Sequence, residues 1–232
     1  MHPRAEARGS ELQGDSPAGG AHGGERVILF ASSNPHKLDE VRAILVPHGI
    51  AVRGLGEVRA ADWRRGSELP EPVEDAATFE GNAAIKAAYY AEATGVACLA
   101  DDSGLVVDAL GGAPGVFSAR YAGVGDTRAE RDAANNAKLL RELEGVPREK
   151  RTARFVCALV LAEPSGAIAA MTRGTFEGWI GFEPRGTNGF GYDPLLVVEE
   201  GRTSAELTEA EKNARSHRGE AVRAMVRFLG VD

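Results

Sequence analysis

The apolar run at residues 27–31 leads, after two serines, into Asn34-Pro35, and this succession constrains the fold most. An unbroken apolar run is typical of a strand that is buried on both faces of a sheet. Asn34 suits the N-cap of a helix and Pro35 suits its first position, so a helix is expected directly after the strand. A buried strand that leads straight into a helix indicates an α/β protein.

The rest of the chain first continues this alternation of strands and helices and then contains two consecutive long strands. Further helices are expected at residues 78–93, 127–143 and 219–229, and further strands near 51–53, 96–100, 105–107, 153–162, 167–176 and 195–198. The turn Pro164-Ser165-Gly166 between two long apolar segments predicts a hairpin. Early alternation with a late hairpin favours an α/β protein with a mixed β-sheet, flanking helices and two lobes around a central cleft.

The first 24 residues differ in composition from the remainder. They are rich in Gly, Ala, Pro and charged residues and contain almost no large apolar side chains. Such a segment cannot offset the entropy cost of its own ordering, so we expect residues 1–24 to be a flexible tail. Residues 25–232 are then expected to form the functional domain.

Bulk properties exclude several classes of protein. The net charge of −7 disfavours binding along a nucleic-acid backbone as the main role. No apolar stretch approaches the roughly 20 residues that span a bilayer, and the N-terminus lacks the apolar core of a signal peptide. Cys98 and Cys157 lie in apolar runs without metal-ligand spacing. We therefore expect buried free thiols in a cytoplasmic protein with no membrane or nucleic-acid partner.

Adjacent acids, Asp101 and Asp102, follow the expected strand at residues 96–100 and precede Ser103-Gly104. Negative charge at the rim of a core is costly unless a metal or another cation compensates it. Neighbouring strand residues point to opposite faces, so only one of the two acids should face a given cleft. The alternative is an ordinary solvated turn, since Asp-Ser-Gly is common turn chemistry.

A second pair of acids, Glu74 and Asp75, precedes the helix expected at residues 78–93. In isolation, such acids often cap a helix and complement its dipole. Together with Asp101 and Asp102, they could instead supply the oxygen ligands that Mg²⁺ prefers.

Three further segments contain candidate binding residues. The strand-to-helix junction from Ser32 to Lys37 could bind an anion, although a capped helix with a surface lysine is the simpler alternative. The loop at residues 186–194 interleaves glycines with Phe190 and Tyr192, whose rings could stack on a nucleobase or simply pack into the core. The basic segment at residues 211–219 could contact carbonyl oxygens or phosphates, or remain solvated.

Together these motifs resemble the inosine triphosphate pyrophosphatase family, the XTP/dITP diphosphatases, from about Val27 to Leu229. The most specific matches are residues 78–83, 100–105, 110–115, 190–194 and 216–219. The resemblance implies an elongated mixed sheet, two lobes around a deep cleft, and a homodimer. It also implies hydrolysis of a purine nucleoside triphosphate between the α- and β-phosphates.

The resemblance also assigns roles to residues. Asp102 matches the proton acceptor and Mg²⁺ ligand, and Glu74 a further metal-binding acid. The remaining positions match substrate contacts: Ser32, Ser33, Asn34, Pro35, His36 and Lys37 for the triphosphate, Ser103 and Lys212 for the substrate, Phe190, Gly191, Tyr192 and Asp193 for the base pocket, and His217 and Arg218 for the oxygen edge of the purine. Asp101 is left as a supporting residue or secondary ligand.

The implied enzyme removes non-standard purine triphosphates, such as dITP, ITP and XTP, from the nucleotide pool. One alternative is a house-cleaning nucleotide pyrophosphatase with a different base preference. The other is a nucleotide-binding module without catalysis, which the grouped acids disfavour because extra carboxylates do not help to bind a polyanion unless a metal is present.

Overall fold

A computed structural model describes residues 26–58, 70–198 and 201–230 of the chain. The expected tail at residues 1–24 lies outside these ranges, and so do residues 59–69 of the polar segment that the sequence shows from Gly54 to Pro72. The described residues form a six-stranded sheet in the order β2-β1-β3-β4-β5-β6. Its strands are β1 (Arg26–Phe30), β2 (Ile50–Gly54), β3 (Cys98–Val107), β4 (Thr152–Ala162), β5 (Ile168–Ile180) and β6 (Leu196–Val197).

The sheet is mixed, as the sequence predicts. Strand β1 runs parallel to both β2 and β3, whereas β3, β4, β5 and β6 pair antiparallel. The helices are α1 (Pro35–Leu45), α2 (Phe79–Thr94), α3 (Arg128–Glu142), α4 (Glu209–Arg215) and α5 (His217–Val226). Helices therefore flank a mixed sheet, which confirms the expected α/β class. Among the described helices, none is long and apolar enough to cross a membrane.

Local capping signals place the first three helices where the sequence predicts them. The side chain of Asn34 accepts the His36 N–H, and Pro35 begins α1. Thr78 caps α2, and Thr127 forms a capping box with Glu130 at the start of α3. These caps satisfy N–H groups that have no partner within the helix, so each fixes where its helix begins.

Strand β3 corrects the expected end of a strand at Ala100. It continues without a break from Cys98 to Val107 and pairs with β4 along its whole length, so the alternative of a solvated turn at Asp102-Ser103-Gly104 is wrong. Gly104 is instead required by close packing against Ser118, because a Cβ at position 104 would lie 2.4 Å from the Ser118 Oγ. The two acids consequently lie in the middle of a strand, not at its end.

The C-terminal part of the chain is more helical than expected. The basic segment before the last helix is itself a helix, α4, with a capping box between Thr208 and Glu211. Helix α5 then begins at His217, because the Ser216 side chain caps it by accepting the Gly219 N–H. His217 and Arg218 are therefore placed in the first turn of a helix.

Apolar residues cover both faces of the sheet. One cluster packs α1 and α5 against one face, with Phe30 and Met225 fully buried. A second cluster packs α2 against the other face through alanines such as Ala83 and Ala87. Cys98 and Cys157 are free and buried, as expected, and burial raises the pKa of Cys157 to about 12. Side chains on β3 thus alternate between two packed layers.

Candidate active site

Four of the segments singled out in the sequence meet around one cavity of about 280 Å³, which we call the aromatic cavity. The start of α1, the middle of β3, the loop at residues 186–194 and the junction of α4 with α5 all contribute to its wall. The predicted site residues in that wall are Asn34, Lys37, Ser103, Phe190, Gly191, Tyr192, Asp193, Lys212, His217 and Arg218.

A second cavity of about 230 Å³, which we call the acidic cavity, is also lined by residues of the α1 junction. Ser32 and Ser33 line it together with Glu74 and Lys86. Asn34 and Lys37 line both cavities, so the two adjoin. In the part of the chain that the structure describes, neither wall includes Pro35, His36 or Asp102. The site therefore has two connected compartments, one aromatic and one with acids and a helix N-terminus.

The α1 junction places Lys37 in the first turn of a capped helix. Asn34 uses its side chain to cap the His36 N–H at 3.1 Å, and its own N–H donates to the Ser32 Oγ. The His36 ring stacks on Phe190 with 6.0 Å between ring centroids. This contact links the junction to the loop of the aromatic cavity.

Asp101 is the centre of a buried ion-pair network. Its side chain is 1% exposed and accepts hydrogen bonds from the Lys37 Nζ at 2.9 Å and from Arg218 Nη2 at 3.1 Å. Burial by itself would raise the pKa of Asp101, but the charges of Lys37 and Arg218 hold it well below its ordinary value. Both Asp101 oxygens accept hydrogen bonds from these cations, an arrangement in line with the supporting role expected for Asp101.

Asp102 lies on the opposite face of β3, toward α2. Its Oδ2 accepts a hydrogen bond from the Asn82 Nδ2 at 3.0 Å, and its Oδ1 accepts the Ser103 N–H. Burial and the nearby Glu74 raise its pKa, although Lys86 and Asn82 act in the opposite direction. Lys86 also forms a 2.9 Å ion pair with Glu74. Asp102 and Glu74, the two carboxylates that the sequence predicts as metal ligands, therefore both interact with Lys86.

The loop of the aromatic cavity is held by Asp193. Its Oδ2 accepts the Phe190 N–H at 2.7 Å and the Lys212 Nζ at 2.6 Å, and its Oδ1 accepts the Ser204 hydroxyl. Gly189 has a φ of +77°, and a Cβ there would lie 2.1 Å from the Asp193 carboxylate. Asp193 and Lys212 thus shape the loop directly. Tyr192 is buried, and its hydroxyl donates to the Ser118 carbonyl, so this hydrogen bond ties the loop to Ser118 in the wall of the aromatic cavity.

His217 and Arg218 are both buried but differ in their partners. Arg218 donates to Glu40, Asp101 and the Ser103 Oγ, which commits most of its guanidinium to the protein. His217 stacks on a phenylalanine of β4, and its Nδ1 is buried without a hydrogen-bond partner. Burial, with the charge of Arg218, lowers the pKa of His217 well below its ordinary value, so the ring is neutral at pH 7. A neutral imidazole next to a cavity can donate or accept a hydrogen bond.

Comparison with known proteins identifies the family. The Ham1 family model matches residues 28–228, which is most of the chain. The chain belongs to the Ham1 family. It is 50% identical over 208 residues to a dITP/XTP pyrophosphatase of Exiguobacterium sibiricum, covering 88% of this chain and 98% of that one. A dITP/XTP pyrophosphatase of Frankia alni is 50% identical over 207 residues, covering 87% and 96%.

Solved Ham1 structures share the fold. A HAM1 protein from Coxiella burnetii superposes with a TM-score of 0.75 at 42% identity, covering 88% of this chain and 98% of that chain. A nucleoside-triphosphatase, or dITP/XTP pyrophosphatase, from Mycobacterium abscessus gives a TM-score of 0.68 at 45% identity, covering 88% and 99%.

One element of this Ham1 protein's cavity was missed in the sequence. Arg128, Arg131 and Asp132 of α3 line the aromatic cavity, and the Arg128 Cζ lies 4.5 Å from the centroid of the Phe190 ring. The sequence shows α3 only as an amphipathic helix. The available signal was the concentration of charged and amide residues in the first part of α3. The same pattern is typical of a solvent-exposed helix face, so only the packing of the loop against α3 identifies these residues as part of the cavity.

Proposed function

We propose that this Ham1 protein hydrolyses non-standard purine nucleoside triphosphates, such as ITP, dITP, XTP and dXTP, to the monophosphate and pyrophosphate. The observation that supports it best is the pair of adjoining cavities, which meet at Asn34 and Lys37. An aromatic compartment beside a compartment with a helix N-terminus and two lysines suits a purine joined to a polyphosphate. The names of the relatives, dITP/XTP pyrophosphatases, agree with this activity.

The residues around the acidic cavity fit Mg²⁺. Asp102 and Glu74 offer oxygen ligands, and both carboxylates interact with Lys86. This fits a cation that is held by one or two carboxylates, with waters and substrate phosphates completing its coordination. When bound, Mg²⁺ would neutralise charge on the phosphate oxygens.

In the proposed reaction, Asp102 accepts a proton from the attacking water. The Asn82 amide donates to the Asp102 Oδ2 and fixes the orientation of this carboxylate. Lys37 and Lys212 offset negative charge on the substrate. The Ser103 hydroxyl is held by Arg218, and the described residues provide no histidine in contact with it, so it serves as a binding group and not as a nucleophile.

Base selection is proposed to involve Phe190 and His217. The Phe190 ring lines the aromatic cavity together with Arg128, so a purine in this cavity would stack against these side chains, and the unpartnered Nδ1 of His217 is buried beside the same cavity. An N–H donor aimed at the 6-oxygen of hypoxanthine or xanthine is satisfied, whereas the 6-amino group of adenine leaves it unpaired. Arg218 contributes mainly by holding the Ser103 hydroxyl and the Asp101 carboxylate.

The assembly and location of the protein stay predictions. We propose a cytoplasmic homodimer in which residues 25–232 form the catalytic domain. Light scattering coupled to gel filtration measures the assembly, and a monomeric mass at micromolar concentration would contradict it.

The decisive experiment measures pyrophosphate release with Mg²⁺ from dITP, XTP, dATP, dGTP and dTTP. We expect turnover of dITP and XTP to exceed that of the three standard nucleotides, and loss of activity when EDTA is added. A faster reaction with dGTP or dTTP would favour the alternative of a different base preference. Saturable dITP binding without pyrophosphate release would favour the non-catalytic module.

A further inference from the structure

Helix α3 binds both the N–H and the carbonyl of Gly191, the residue that follows Phe190 in the loop. Its N–H donates to the Asp132 Oδ2 at 3.0 Å, and its carbonyl accepts the Asn136 Nδ2 at 3.0 Å. Positions 132 and 136 are about one turn apart and lie on the same face of the helix. One helix face therefore binds both polar backbone groups of one loop residue, an arrangement that we call the α3 clamp.

The loop needs such an external support. Residues 181–195, all of which the structure describes, contain no helix or strand, and Gly186, Gly189 and Gly191 all have positive φ. Glycines lose more conformational freedom on ordering than other residues. Asp193 accepts the Phe190 N–H, and the α3 clamp binds the N–H and the carbonyl of the next residue, Gly191. The position of the Phe190 ring depends on both anchors.

The placement of Asp132 points to the same role. It lines the aromatic cavity, where a carboxylate gains no direct attraction to a polyanionic substrate. Its contacts are instead with the loop and with Arg128, whose Nε lies 3.8 Å from the Asp132 Oδ2. Arg128 in turn lies over the Phe190 ring. Asp132 thus acts on Phe190 through the backbone and through a neighbouring cation.

We propose that Asp132 and Asn136 are positioning residues that set the affinity for the purine through the α3 clamp and Phe190. This inference rests on the proposed function. The base is not altered during cleavage of the α–β phosphate bond, so its contacts are equally strong in the ground state and the transition state. Loss of such uniform binding raises KM and leaves kcat unchanged.

The test compares the wild type with Asp132→Ala, Asp132→Asn and Asn136→Ala. The asparagine at position 132 keeps an oxygen that can accept the Gly191 N–H, so it should restore most of the affinity. Arg141→Ala, an exposed change in the last turn of α3, is the matched control. We expect Asp132→Ala to raise KM for dITP about tenfold, with kcat within about twofold of the wild type. Asn136→Ala should change KM in the same direction.

Tripolyphosphate separates a base effect from general damage, because it lacks a base and competes for the phosphate compartment. We expect its inhibition constant to be the same in the wild type and in all variants. Equal KM values in the wild type and Asp132→Ala, or a parallel loss of dITP and tripolyphosphate binding, would overturn the proposal.

Calorimetric titration with IMP keeps this test independent of turnover. If the wild type releases no pyrophosphate but binds IMP more tightly than Asp132→Ala does, the proposed function fails while the α3 clamp stands. If IMP binding is equal in the two proteins, or absent from the wild type, the α3 clamp is overturned as well.

Discussion

Replacing Asp101 with asparagine tests the buried ion-pair network most directly. In the wild type, the Asp101 carboxylate is 1% exposed and bonds Lys37 and Arg218, and Arg218 is itself only 1% exposed. Asparagine has nearly the same shape but no charge, so the two cations would stay in place without their shared counter-ion. Glu40 still pairs with Arg218, and Lys37 is partly exposed, so both retain some compensation.

Removing one partner from a buried ion pair typically costs about 3–5 kcal/mol, because an uncompensated charge remains inside the protein. Since Glu40 remains, we expect Asp101→Asn to lower the free energy of unfolding by about 3 kcal/mol. Asp108→Asn is the matched control. Asp108 also accepts an arginine at 2.9 Å, from Arg154, but its side chain is 44% exposed. An exposed pair contributes about 1 kcal/mol or less.

Urea unfolding at pH 7, followed by circular dichroism, measures both variants against the wild type. The folded pKa of Asp101 lies below the unfolded value of about 3.9, so its contribution is complete above about pH 5 and declines as the pH falls toward the folded pKa. The measurement at pH 7 therefore records the whole effect. If Asp101→Asn costs no more stability than Asp108→Asn, the network does not contribute in the way that its burial implies.

Three further predictions address the site and its boundaries. Asp102→Asn should abolish pyrophosphate release while dITP still binds; turnover within tenfold of the wild type would refute its role as the base. The folded pKa of His217 lies well below its unfolded value of about 6.5, so only the unfolded state gains a proton below that pH, and stability falls as the pH drops from 7 to 5. His217→Gln should reduce this fall, and an unchanged pH dependence would contradict the assignment. A chain of residues 25–232 should match the full chain in kcat/KM, and a tenfold deficit would show that the domain boundary is wrong.

Signals close together in the sequence predicted local structure well. Asn34 and Pro35 fixed the start of α1, and Thr78 and Thr127 fixed the starts of α2 and α3, because a cap acts on N–H groups only two or three residues away. The turn between β4 and β5 was equally clear from Pro164 to Gly166. Interactions of this range can be recognised from neighbouring residues alone.

Predictions failed where distant segments compete with a local preference. Asp102-Ser103-Gly104 has the chemistry of a turn, yet pairing with the long apolar strand β4 keeps it extended. The glycine that suggested a turn is required because Ser118 packs against it from a different element. Hydrogen bonds along a whole ladder outweigh the modest preference of a short polar segment for a turn.

By itself, the sequence determined the α/β class, most helix starts and the residue types of the site that we propose for phosphate, metal and base. The tertiary structure decided which partners each of those residues contacts. Alternation along β3 sends Asp101 into a network with Lys37 and Arg218, and sends Asp102 toward Asn82 and Lys86 of α2. It also brought Asp132 against Gly191, which lies 59 positions away. Charges and hydrogen bonds act through space, so their partners are known only when the fold has brought distant segments together.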